Sequence, residues 1–107
     1  MEPSNILSIN SLSKEWCDKD MVLLHACFQV LTDCVEKENL LEVHENWETD
    51  PKLKKVKEEI GYLYHWWKQR KDIEDQGKTD EIWTEEKYEK DNEMLIRLIK
   101  VRQYLWT

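Results

Sequence analysis

Turn-forming residues are scarce: two glycines and two prolines serve 107 residues. That excludes an all-β protein, whose short strands need a tight turn about every ten residues, and leaves long helices as the natural architecture. Long apolar runs are missing too. No stretch approaches the roughly 20 residues that cross a bilayer, and the opening MEPSNILSINSLSKEW has no basic segment leading into an apolar one. A chain neither secreted nor embedded in a membrane is therefore expected. Cysteine is limited to Cys17, Cys27 and Cys34. Cys27 and Cys34 are separated by about 10 Å along an expected helix, beyond disulfide reach, so reduced thiols in a cytoplasm are the expectation. A glycine-rich phosphate loop and a Cys/His spacing of zinc type are also lacking. His25, His44 and His65 have no recognisable catalytic partner, and no cysteine has a context that would activate its thiol. No catalytic residue, metal or cofactor is expected.

What is abundant is tryptophan, with six in the chain. Each can bury roughly 150–250 Å², so a few rings supply much of a small core. The chain is 40% hydrophobic and 36% charged, which places it among soluble globular chains, and its length suits a single domain with one modest core. The net charge of −7 is concentrated: residues 72–93 hold ten acids against three lysines, and the remainder is balanced. An acidic chain does not track a phosphate backbone by bulk attraction, so general nucleic-acid binding is disfavoured. The acidic run could mimic a nucleic acid, but its lysines favour an ordinary solvated surface.

Residues 1–18 lack helical period and read as an irregular arm anchored by Trp16. Asp18 or Asp20 can cap a helix running to about Asn39, with Met21, Leu24, Phe28, Leu31 and Val35 on its core face. His25, Cys27 and Cys34 fall at the edge of that stripe. Residues 39–50 read as a connector ending in Thr49, Asp50 and Pro51, an N-cap followed by a proline in the first turn. A second helix extends to about residue 75, with Leu53, Val56, Ile60, Leu63 and Trp67 facing the core. Gly61 within it suggests close approach of a neighbouring helix, and Gly77 stops it. Thr79 or Thr84 can cap a third helix over 84–107, with Tyr88, Leu95, Leu98 and Leu105 sharing a face broadened by Met94, Ile99 and Val101. The fold expected is all-α, a compact three-helix antiparallel bundle with an irregular N-terminal arm. So many large rings suggest burial between protomers of a homo-oligomer.

The candidate site lies on two strips. Tyr62, Trp66 and Arg70 recur at spacing four beside the core-facing Trp67. Near the C-terminus Ile99, Arg102 and Trp106 recur at three and four, with Tyr104 close to Arg97. Aromatic rings with guanidinium forks suit a planar anionic ligand of nucleotide type, and the same residue types dominate protein interface hot spots. The competing reading is that each arginine pairs with a glutamate, Arg97 or Arg102 with Glu58 or Glu59, and the rings only cap the bundle. A Mg²⁺-dependent nucleotide pyrophosphohydrolase of MazG type needs ExxE on one helix and ExxD on the next. Glu86 and Glu89, with Asp91 and Glu93 following, offer half of that set, but the adjacent Glu58 and Glu59 cannot complete it.

The segments DMVLLHACFQVLTDCVEKENL, EIGYLYHWWKQRK and YEKDNEMLIRLIKVRQYLWT resemble a family of small proteins of tailed bacteriophages. The shared pattern is an LHxxF segment at Leu24, His25 and Phe28, a tyrosine with paired tryptophans at Leu63, Tyr64, Trp66 and Trp67, and a closing RxYLWT at Arg102 to Thr107. It spans residues 20–107. The resemblance implies a phage origin and an all-α fold but no established activity; because phages carry many small accessory proteins that neutralise host defences, action of that kind in the host cytoplasm is the expected context. The partner would then be a sequestered nucleotide-type signal or a host defence protein.

Overall fold

Among the described residues, apolar positions at spacings of three and four wind the chain into α1 (Lys19–Glu36), α2 (Leu40–Val43), α3 (Pro51–Asp75) and α4 (Glu85–Lys100), the last followed by a 3-10 turn over Arg102–Tyr104. The computed structural model describes residues 7–12, 19–43, 47–75 and 85–105, without the side chains of 43 and 72–75. Among the described residues there is no strand, and none of the helices is long and apolar enough to cross a membrane. The fold is all-α, with α1, α3 and α4 packed together.

Local chemistry explains the helix ends. The N–H groups of Lys37 and Glu38 both donate to the Asp33 carbonyl (2.9 and 3.1 Å), and Asn39 takes a left-handed φ of 52°, which an asparagine adopts more readily than most residues. Helix α1 therefore stops at Glu36 rather than continuing to Asn39. At the start of α3, the Asp50 side chain accepts the Lys52 N–H at 2.9 Å and its carbonyl accepts the Lys54 N–H at 2.9 Å. Asp50 is thus the N-cap, with Pro51 in the first turn. Asp20 does not cap α1; it lies within the helix and accepts the Tyr88 hydroxyl at 3.1 Å.

The core joins Leu24, Phe28 and Leu31 of α1 to Ile60, Leu63 and Trp67 of α3 and to Met94, Leu98 and Val101. Phe28 lies nearly parallel to Trp67, with centroids 4.8 Å apart at 15°, and Trp66 tilts against the same ring at 5.4 Å. Helices α3 and α4 are antiparallel, since Glu59 early in α3 meets Arg97 late in α4 while Arg70 meets Asp91.

Four expectations need correction. The connector is part of the core: Leu40 and Trp47 are buried, and the Trp47 indole N–H donates to the Leu40 carbonyl at 3.0 Å. On α4 the buried face is Asp91, Met94 and Leu98, continuing to Val101, whereas Tyr88 and Ile99 are exposed. A charged residue at the head of that face concealed its phase. His25 is fully buried rather than marginal, because residues 10 and 11 lie over it: its Nδ1 is 2.6 Å from Ser11 Oγ, and its ring meets Trp67 edge-on at 4.7 Å. Finally, a Cβ added at Gly61 would meet nothing within 4 Å, so no helix approaches closely there. Trp16, Cys17, Asp18, His44, Gly77, Thr79, Thr84 and Trp106 lie outside the described residues.

Candidate functional site

Two arginines of the strips, Arg70 and Arg97, reach across the α3–α4 seam. Arg70 reaches across it to Asp91 with two parallel hydrogen bonds, Nε to Oδ1 at 2.8 Å and Nη2 to Oδ2 at 2.9 Å. The two side chains are only 14% and 10% exposed, so the pair is largely removed from water. The Arg70 guanidinium also stands 5.5 Å from the Trp67 ring centre. Asp91 is thus not part of a solvated acidic surface.

Nearer the other end of the seam, Arg97 donates through Nε to Glu59 Oε2 at 2.8 Å and through Nη2 to Oε1. Its guanidinium lies over the Tyr62 ring, 4.5 Å from the centroid. The bond to Glu59 raises the Arg97 pKa further, outweighing the opposing effect of burial. Tyr62 is half exposed, with one face covered by Arg97. This is the pairing of Arg97 with Glu59 that competed with ligand binding in the sequence.

Of the residues on the two strips, the structure brings Tyr62 and Arg97 together. Trp66 is half-buried against Phe28, and Tyr104 is half-buried against the core. Arg102 stands exposed on the 3-10 turn, and among the described residues its side chain has no hydrogen bond or ion pair. Val101 breaks the helical phase: its φ and ψ are −106° and 8°, and its N–H donates to Leu98 at the tighter i−3 spacing, 3.1 Å. Ile99, Arg102 and Trp106 therefore do not continue one α-helical strip, and Trp106 itself is outside the described residues.

An anion entering this seam would have to displace a carboxylate from each guanidinium fork. The seam holds Glu59 and Asp91 on those arginines, and among the described residues no three His, Cys, Asp or Glu side chains come together as a metal requires. Burial pushes the Cys34 thiol up to about 11, with Glu38 and Asp33 adding to the effect, and pushes Cys27 up as well. Both are the opposite of an activated nucleophile.

Sequence reasoning named Asp91 only in an incomplete metal set and His25 only at the edge of the α1 stripe, and missed that both are buried. Asp91 lay inside an acidic run, and His25 is buried by a segment distant in sequence, so periodicity carried no signal for either. Compared with known protein families, curated proteins and solved structures, the chain matches none.

Proposed function

We propose that this protein is a non-enzymatic binding protein that acts by docking against another protein. The observation that supports this reading is a contrast. The arginine forks of the seam are occupied internally, whereas Leu23, Ile96 and Ile99 are 62%, 53% and 62% exposed. Ile96 and Ile99 are one turn apart on the outer face of α4, and Leu23 shares a face of α1 with the exposed Val30. Fully burying one such side chain contributes roughly 1.5–3 kcal/mol, and exposed apolar groups mark a protein contact where they join into one patch. The resemblance to small phage proteins suggests the partner class, a host defence or host takeover protein met in the host cytoplasm.

Capture from phage-infected bacterial lysate with tagged wild-type protein and with an I96E/I99E variant tests this. One stoichiometric partner should be recovered by the wild type and lost by the variant while both melt alike; identical capture by the two sinks the reading. A second reading, sequestration of a nucleotide-type anion, draws on the half-exposed Tyr62 beneath Arg97. It is weaker because Glu59 holds the guanidinium. A panel of cyclic di- and oligonucleotides should raise the melting temperature if it holds, and a flat panel at millimolar ligand removes it.

A further inference from the structure

Helix α4 turns Asp91, Met94 and Leu98 inward. Its opposite side begins with Glu85 and Glu89, passes through Asn92 and Glu93, and ends with Ile96, Ile99 and Lys100, all of them exposed. At 100° per residue these side chains fall within about one third of the helix circumference, so they form one strip. Two aliphatic side chains one turn apart are thus left uncovered by their own chain, with charged residues before and after them.

The charges on this strip are ordered. Glu85, Glu89 and Glu93 precede the isoleucines and Lys100 follows them, while Lys87 and Lys90 fall on other sides of the helix. Among the described residues Lys100 makes no ion pair, and Glu93 is paired with Lys90 of its own helix, an exposed contact of 3.1 Å that contributes little. A strip running from acid to base complements itself when reversed. A parallel copy would set acid against acid. An antiparallel copy, related by a twofold axis, sets acid against base on both sides of the axis. Glu93 and Lys100, two turns apart, lie along the same edge of the isoleucine pair, and the point midway between them falls beside Ile96. The pairing that joins these charges therefore also joins the isoleucines.

We propose that α4 is a self-docking surface: two copies of this chain associate through an antiparallel contact of their α4 helices, with Ile96 and Ile99 of both copies at its centre and Glu93 of each opposite Lys100 of the other. Size sets the strength. Helix α4 has 16 residues, about 24 Å of length, and one helix pair of that length falls short of the roughly 1,200–2,000 Å² of a standard interface, so the dimer is weak and exchanges readily. Self-association concerns the free chain and goes beyond the docking against another protein proposed above; a partner seated on the same isoleucines would take the place of the second copy.

The test is analytical ultracentrifugation of the purified full chain over about 10–500 µM, the range in which so small an interface associates. The mass of the wild type should rise from one chain toward two, and Ile99→Glu should hold it at one. Glu93→Lys and Lys100→Glu each set like charges opposite one another and should each weaken association about tenfold or more. The double exchange E93K/K100E restores opposite charges and should return the affinity to within a few-fold of the wild type. All the replaced side chains are exposed, and matching melting curves establish that each variant is folded. A wild type that stays one chain at the highest concentration overturns the proposal, as does a dimer that Ile99→Glu leaves intact or a double exchange no tighter than the single ones. No host protein is present in this measurement, so its failure and the failure of the lysate capture are separate results.

Discussion

Replacing Asp91 by alanine isolates the interaction that fixes the register of α3 against α4. The Arg70 and Asp91 side chains are 14% and 10% exposed and joined by two bonds of 2.8 and 2.9 Å, so neither charge is well solvated. Removing one partner breaks a largely buried ion pair beside the Trp67 ring, a change that costs about 3–5 kcal/mol. A domain of this size has roughly 5–15 kcal/mol in all, and each kcal/mol moves the melting temperature by about 4–8 °C. Urea and thermal denaturation should therefore show D91A destabilised by well over ten degrees. The double variant R70M/D91L, which removes both charges and keeps apolar volume, should be clearly more stable than D91A. Loss of less than about 1 kcal/mol in D91A would refute the reasoning. So would a double variant as unstable as the sum of the two single ones, because coupling between contacting residues is the premise.

Other consequences follow from single residues. Gly61→Ala should stabilise by about 1 kcal/mol in the same denaturation assay, since the position is inside α3 and a methyl group there meets nothing within 4 Å. Trp47→Phe keeps a ring but strips the donor from the buried Leu40 carbonyl, so a loss of about 1–3 kcal/mol is expected from chemical denaturation. The Glu36 carboxyl is held below its ordinary value by bonds from Lys68 and Tyr64. Its contribution is present above the unfolded value of 4.5 and disappears as pH falls through the lower folded one. The stability gap between wild type and Glu36→Gln should thus close in acid, and by a small amount, because the Glu36 side chain is 41% exposed. The buried Cys34 thiol, pushed up to about 11, should react with a thiol reagent at neutral pH only as fast as the protein opens, and labelling faster than amide exchange in α1 would contradict its burial.

Much of the architecture was legible because it rests on local chemistry. Scarce glycine and proline implied helices, the periodic aliphatics of α1 and α3 marked their inner faces, and Asp50 with Pro51 announced the start of α3. The candidate site was legible only as composition. Tyr62, Trp66 and Arg70 could be recognised as rings and a cation on one strip. Nothing in one dimension distinguished a guanidinium awaiting phosphate from one already bound by a carboxylate.

The sequence by itself determined that this chain is all-α, where its three main helices lie and which residues of α1 and α3 face inward, because hydrophobic period and capping act over four residues or fewer. Tertiary structure alone decided the partners of the charges. Arg70 with Asp91 and Arg97 with Glu59 arise from packing α4 antiparallel to α3, and the Ser11 contact to His25 arises from a segment that folds back onto α1. Those contacts span distances in sequence at which periodicity has no memory, so the occupied arginine forks appear only once the helices are assembled.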